Sequence, residues 1–124
     1  MSIFNSKNSQ AHRDATALEI IRDVMRPIDG FCSGIGTGGT ITGIGEVLKE
    51  YNPQIEIWAV EPEHAAILAG GNIGTHIQMG IGGNHINTKI LRQKFDCCSC
   101  VPTTLNLIQE NQRITWDQHK IAAI

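Results

Sequence analysis

The sequence has few aromatic residues, almost no net charge and no long apolar run. Aromatic residues make up 5% of the 124 positions, which argues against a surface for stacking nucleic-acid bases. A net charge of −2 gives no attraction to nucleic acid or to an anionic membrane. The apolar runs are far shorter than a bilayer span, and no basic segment precedes an apolar one after Met1. We therefore expect one soluble, cytoplasmic domain with neither nucleic acid nor membrane as a partner.

The four cysteines do not follow the pattern of a disulfide framework or a zinc site. Cys97, Cys98 and Cys100 are bunched while Cys32 stands alone, which favours reduced thiols. The bunch contains C-x-x-C, but a structural zinc site usually has two spaced pairs. On a strand, Cys97 and Cys98 would point to opposite faces. We expect buried thiols in a reducing compartment and no metal site.

Hydrophobic spacing predicts helices that alternate with short strands. The predicted elements are helices over 14–25 and from 40 to the Asn52-Pro53 pair, and strands over 28–33 and 55–60. Strand, turn, helix and strand make a βαβ unit, whose strands are normally parallel. The predicted fold class is α/β, with a small three-layer parallel sheet and flanking helices.

Beyond Pro62 the pattern is weaker. The expectations there are one or two helical turns over 63–69, loop over 70–83, a strand over 97–101 and a helix over 103–112. The last ten residues match no clear pattern.

The strongest local signal is a glycine-rich turn between the first predicted strand and the second helix. It reads Gly34-Ile35-Gly36-Thr37-Gly38-Gly39-Thr40. Glycines let backbone amides approach a ligand closely, and a helix that begins near Thr40 adds unpaired amides and partial positive charge. The hydroxyls of Thr37 and Thr40 can donate to the same ligand oxygens. The turn therefore predicts an anion site suited to a phosphate.

Spacing alone leaves the kind of phosphate ligand open. Gly34, Gly36 and Gly39 also satisfy G-x-G-x-x-G, and Glu61 ends the next strand where an acid would hold a ribose. A Rossmann-like nucleotide-binding module is therefore an alternative. A Walker-type loop is excluded because no Gly-Lys-Ser or Gly-Lys-Thr follows.

Several ordered motifs between Phe4 and Gly83 resemble the cysteine synthase (O-acetylserine sulfhydrylase) family. They are AHR at 11–13, GIGTGGTITG at 34–43, VEP at 60–62, ILAGG at 67–71, GTHI at 74–77 and MGIG at 79–82. The resemblance implies a partial lobe of a fold-type II, tryptophan-synthase-β-like pyridoxal phosphate enzyme. It also implies the family reaction, in which sulfide replaces the acetoxy group of O-acetylserine to give cysteine. We interpret 1–124 as a single partial domain, with 4–83 as the cofactor-phosphate-binding part and 84–124 as a divergent tail.

The resemblance also implies roles for two loops. The positions that match the loop holding the phosphate of pyridoxal phosphate are Gly36, Thr37, Gly38, Gly39 and Thr40. The positions that match a glycine loop at the mouth of the active site are Gly80, Ile81 and Gly82. In this interpretation Glu61 is an end-of-strand residue, and His12 makes a hydrogen bond at a helix start.

The family reaction needs a lysine that forms a Schiff base with the cofactor. In the family it lies in a Ser-x-Lys-Asp-Arg-like context, and no lysine here has those neighbours. The lysines are Lys7, Lys49, Lys89, Lys94 and Lys120. We therefore assign no catalytic residue and expect no sulfhydrylase activity from the isolated chain. A partial lobe should expose apolar surface, so homo-oligomerisation or docking on a full-length relative is expected, and a non-catalytic interaction fragment is a further alternative.

Overall fold

The computed structural model describes residues 6–82, 97–101 and 121–123. Within these residues the strands form one parallel sheet. They are β1 (Gly30–Gly34), β2 (Glu56–Pro62), β3 (Cys97–Val101) and β4 (Ile121–Ala123). The order in the sheet is β3-β2-β1-β4, and all three pairings are parallel. The predicted α/β class, the first two strands and the strand over 97–101 are confirmed, whereas β4 was not predicted.

The helix between β1 and β2 buries an apolar face against the sheet. This helix, α3, spans Gly39–Tyr51, as the sequence predicts. Ile41, Ile44 and Leu48 are fully buried at helical spacing, and they pack against Phe31 and Ile57 of the sheet. Burying one such side chain contributes about 1.5–3 kcal/mol. The β1–α3–β2 unit is therefore fixed by its own core.

The helix before β1 begins earlier than its sequence pattern predicts. It comprises α1 (Lys7–Ala11), a π-helical turn (His12–Thr16) and α2 (Ala17–Asp23), which run without a break. The predicted start at Asp14 is wrong because α1 and the π-helical turn bury no residue, so they carry no apolar spacing. The helix ends at Asp23, two residues before the predicted end near Met25, because the backbone of Val24 is already extended.

A glycine brings this early helical segment close to α3. A Cβ added at Gly43 would collide with the carbonyl oxygen of Ser9 and come within 2.9 Å of the His12 Cβ. Backbone contact thus replaces apolar side-chain packing at this crossing. The result places the π-helical turn beside the first turn of α3.

The chain after β2 contains little regular structure. A single 3₁₀ turn, Glu63–Ala65, follows the strand, and residues 71–82 contain neither helix nor strand. The loop expectation holds for these described residues, while the predicted helix over 103–112 lies outside them. Within the described parts of the chain, no helix combines the length and apolarity needed to cross a membrane.

Candidate functional site

The glycine-rich turn joins the carboxyl end of β1 to the first turn of α3. The amide of Ile35 donates to the carbonyl of Val60 at 3.0 Å, so the turn begins from a position fixed by β2. Gly38 caps α3 with φ of 91°, a left-handed conformation that a residue with a Cβ adopts only at a cost. The left-handed backbone at this position therefore explains why the cap residue is glycine.

The start of α3 offers hydrogen-bond donors and no negative charge. The first amides of a helix have no intrahelical acceptor, and the helix dipole places about half a positive charge there. No side chain of the described residues caps this end, and the first turn contains no acidic residue. Thr37 and Thr40 are half-buried and add hydroxyl donors. This set of neutral donors fits a phosphate, which presents only acceptor oxygens when fully ionised.

The structure brings the two predicted loops together. The amide of Gly82 donates to the carbonyl of Ile35 at 2.8 Å. A Cβ added at Gly36 would lie 2.5 Å from the Gly80 carbonyl oxygen, and one added at Gly34 would lie 2.7 Å from Cγ2 of Ile81. The glycines therefore permit a close approach between two backbone segments, and the turn lies directly against the 80–82 loop.

Residues behind the 80–82 loop hold its end in place. Gly82 has φ of 68° and Gly80 has φ of 83°, so both need glycine. A Cβ added at Gly82 would lie 2.7 Å from Cγ of Pro62, and Nε2 of His76 lies 3.3 Å from the Gly82 carbonyl oxygen. The loop is thus anchored to the end of β2.

Asn8 and His12 reach the same turn from the early helical segment. A Cβ added at Gly39 would lie 2.5 Å from Nδ2 of Asn8. Nε2 of His12 lies 3.1 Å from the Thr40 hydroxyl, and its Nδ1 lies 3.1 Å from the Thr16 hydroxyl. The sequence assigned His12 only a structural hydrogen bond. The i, i+4 spacing of His12 and Thr16 on one helix could have indicated their contact, but it contains no information about Thr40.

The hydrogen bonds of Glu61 are incompatible with a role in binding a ribose. Its side chain is fully buried. The carboxylate oxygens accept the amide of Leu68 at 3.1 and 3.0 Å, and one of them also accepts the amide of Ala69 at 3.2 Å. A ribose hydroxyl would have to displace these hydrogen bonds. The geometry therefore removes the main support for a nucleotide ligand.

Among the described lysines, neither occupies a buried site. Lys7 is exposed at the start of α1, and Lys49 is half-buried with Nζ donating to the Pro53 carbonyl at 3.5 Å. Lys89, Lys94 and Lys120 lie outside the described residues. The buried thiol of Cys32 has a pKa raised by desolvation, which keeps it protonated and apolar. No group of three or more metal-ligating side chains gathers within the described part of the chain.

Comparisons with known proteins show the family of the chain. The profile of the family "Pyridoxal-phosphate dependent enzyme" matches residues 1–103. Cysteine synthase B of Campylobacter jejuni is 45% identical over 92 residues, which are 74% of this chain and 31% of that protein. A probable cysteine synthase of Bacillus subtilis is 45% identical over 99 residues, covering 77% of this chain and 32% of that protein. The chain thus spans about a third of the length of these relatives.

Solved structures superpose on most of the chain. The O-acetylserine-dependent cystathionine beta-synthase of Helicobacter pylori has a TM-score of 0.73 at 34% identity, covering 80% of this chain and 32% of that one. Cysteine synthase of Entamoeba histolytica has a TM-score of 0.68 at 36% identity, covering 80% and 29%. Sequence, fold and site geometry thus lead to one conclusion: the chain belongs to the pyridoxal-phosphate dependent enzyme family, as part of a lobe of a cysteine synthase-like member.

Proposed function

We propose that Gly36–Thr40 bind the phosphate of pyridoxal phosphate, with Gly80–Gly82 on the substrate side of the same site. The observation that carries the proposal is the meeting of the free start of α3 with the 80–82 loop, through the 2.8 Å hydrogen bond between Gly82 and Ile35. Amides at a helix start together with two hydroxyls form a suitable cradle for a phosphate. The proposed reaction of the complete enzyme is replacement of the acetoxy group of O-acetylserine by sulfide to give cysteine.

The residues of this chain would bind and orient, and would not carry out the bond changes. When bound, pyridoxal phosphate supplies an electron sink for negative charge on the substrate carbon. Gly36 to Gly39 would fix the phosphate end through backbone amides, while Thr37 and Thr40 would add hydroxyl donors. The isolated chain is expected to bind the cofactor without turnover, because no lysine in the expected context is available to link it.

Exposed apolar side chains support a proposal about partners. Ile73, Ile77 and Met79 lie on the loop before Gly80 with 60%, 57% and 97% of their surfaces exposed. We propose that this loop packs against a second copy or against a longer relative in the assembled enzyme. We also place the protein in the cytoplasm, where a free buried thiol such as Cys32 is stable.

An amide NMR titration of the labelled chain tests the phosphate site. Pyridoxine 5′-phosphate is the best probe, because it has the cofactor's phosphate but no aldehyde to react with surface lysines. We expect shifts confined to Gly36–Thr40 and the 80–82 loop, and none there with pyridoxine, which lacks the phosphate. Equal shifts with NAD, or no response at these amides to any ligand, would refute the proposal.

A matched pair of threonine variants sharpens the titration. Thr37→Val removes one proposed phosphate donor, whereas Thr75→Val removes an exposed hydroxyl elsewhere in the chain. A hydrogen bond to a charged group contributes about 1.5–3 kcal/mol, so Thr37→Val should weaken binding about tenfold or more. Thr75→Val should leave the affinity within about twofold of the unmodified chain.

A further inference from the structure

His12 connects two threonine hydroxyls across two different elements. Its Nδ1 lies 3.1 Å from Oγ1 of Thr16 within the early helical segment. Its Nε2 lies 3.1 Å from Oγ1 of Thr40 in the first turn of α3. All three side chains are half-buried. The tautomer of the imidazole therefore determines the orientation of the Thr16 and Thr40 hydroxyl protons.

A neutral imidazole has one donor nitrogen and one acceptor nitrogen, so two arrangements are possible. With the proton on Nδ1, the ring donates to Thr16 and accepts the hydroxyl proton of Thr40. The Thr40 hydroxyl then donates to the ring and cannot donate to a ligand. With the proton on Nε2, the ring donates to the oxygen of Thr40 and leaves its hydroxyl proton free for another acceptor. Only the second arrangement lets Thr40 donate to a ligand.

A phosphate monoester near neutral pH is mostly a dianion that only accepts hydrogen bonds. Its binding beside Thr40 therefore favours the tautomer with the proton on Nε2. Thr16 can support that tautomer by donating its own hydroxyl proton to Nδ1. The neighbouring cation does not compete for this role, since Arg13 pairs with Glu46 at 3.1 Å and with Glu50 at 2.7 Å.

The backbone geometry around His12 gives this arrangement a structural basis. His12 begins the π-helical turn that ends at Thr16, and such turns often occur at functional sites. Gly43 removes the side chain that would otherwise separate this turn from α3, since an added Cβ would lie 2.9 Å from the His12 Cβ. A wide turn and a close crossing together bring the ring to Thr40.

We propose that His12 is a positioning residue for the phosphate: it donates from Nε2 to Thr40 and so directs the Thr40 hydroxyl proton to the ligand. The inference rests on the proposed phosphate site and adds a role for a residue outside the glycine turn. It predicts a tautomer that the ligand selects, and it predicts which substitutions of His12 preserve binding.

Histidine ¹⁵N NMR of the full 124-residue chain tests the tautomer directly. The ring signals of His12 are assigned by their loss in His12→Gln. On saturation with pyridoxine 5′-phosphate we expect the fraction of His12 with its proton on Nε2 to rise. With pyridoxine we expect that fraction to stay the same. A bound state with the proton on Nδ1, despite ligand shifts at Gly36–Thr40, would overturn the inference while leaving the phosphate site intact. The absence of any ligand shift would instead overturn the proposed function, and this inference with it.

Two conservative variants separate positioning from simple packing. The side-chain nitrogen of glutamine can replace the Nε2 donor, whereas that of asparagine is better placed to replace Nδ1. We expect His12→Gln to keep the affinity for pyridoxine 5′-phosphate within about threefold, and His12→Asn to lose about tenfold. Urea unfolding of both variants shows whether either change disturbs the fold. Equal losses of affinity in the two variants would refute the inference.

Discussion

The two ends of the parallel sheet present opposite chemistry. At the carboxyl ends of β1 and β2, the glycine turn and the 80–82 loop offer amides and hydroxyls, and the first turn of α3 contains no acidic residue. The Glu61 carboxylate near the end of β2 is buried and accepts hydrogen bonds from the amides of Leu68 and Ala69. At the amino ends, a cleft of about 360 Å³ is lined by residues that include Asp29 and Glu56. An anionic ligand is attracted to the first end and repelled by the carboxylates of the second.

The comparison favours the carboxyl end as the proposed phosphate site, on donor chemistry rather than on the size of a cavity. Ligands of open α/β sheets bind beyond the carboxyl ends of the strands, where helix starts point their amides outward. At the amino end, the Trp58 indole donates a hydrogen bond to the Glu56 carboxylate at 3.0 Å. This hydrogen bond does not neutralise the negative charge of Glu56. The cleft is therefore unsuitable for a phosphate despite its volume.

The largest expected effect comes from Gly36→Val at the carboxyl end. The new Cβ would lie 2.5 Å from the Gly80 carbonyl oxygen, so the turn and the 80–82 loop must separate. Separation misplaces several donors at once, and we expect affinity for pyridoxine 5′-phosphate to fall by about 30-fold or more. Stability should fall by about 1–3 kcal/mol, measured by urea unfolding.

Gly71→Val is the matched control for Gly36→Val. A Cβ at Gly71 would lie 2.9 Å from the Ala66 carbonyl oxygen, a comparable backbone collision outside the proposed site. It should lower stability and leave affinity within about threefold. If both variants lose affinity equally, general loosening rather than the phosphate site explains the result.

A smaller effect is expected from Gly38→Ala at the cap of α3. Gly38 has φ of 91°, and alanine in a left-handed conformation costs about 1–2 kcal/mol. If the backbone relaxes to avoid that cost, the first amides of α3 turn away, and we expect a fivefold to tenfold loss of affinity, on the order of 1 kcal/mol.

Gly70→Ala is the control that distinguishes the effect of backbone strain alone from the effect of strain at the start of α3. Gly70 has φ of 85° and open space around its Cβ, so alanine there meets similar strain without a collision. We expect a similar fall in stability for the two variants, with affinity unchanged for Gly70→Ala. Loss of affinity in both would contradict the assignment of Gly38 to the site.

The sequence predicts those parts of the fold whose own residues fix them. The apolar spacing of Ile41, Ile44 and Leu48 places α3 correctly, and the alternation in β2 places the second strand. The start of α1 was missed because its contact with α3 runs through the backbone of Ser9 at Gly43, which leaves no apolar signal. β4 is three residues long, which is too short for a periodic pattern.

The candidate site divides in the same way. The glycine turn is predictable because strand, glycines and helix start are contiguous in the chain. Its contact with Gly80 and its link to His12 join residues far apart in sequence, so no local pattern contains them. The role of the turn in holding a cofactor phosphate remains a prediction, supported by the family to which the chain belongs.

The smallest effect, and the sharpest test of the contrast between the two ends, is expected from Glu56→Gln at the amino end. The substitution removes one negative charge from the cleft and can keep the hydrogen bond from Trp58 through its amide oxygen. We expect affinity for pyridoxine 5′-phosphate to stay within about twofold, because the proposed phosphate site lies at the opposite end of the strands. The indole N–H peak of Trp58 should keep its position during the titration, in the variant and in the unmodified chain. A clear shift of that peak, or tighter binding by the variant, would place the phosphate in the cleft and reverse the comparison.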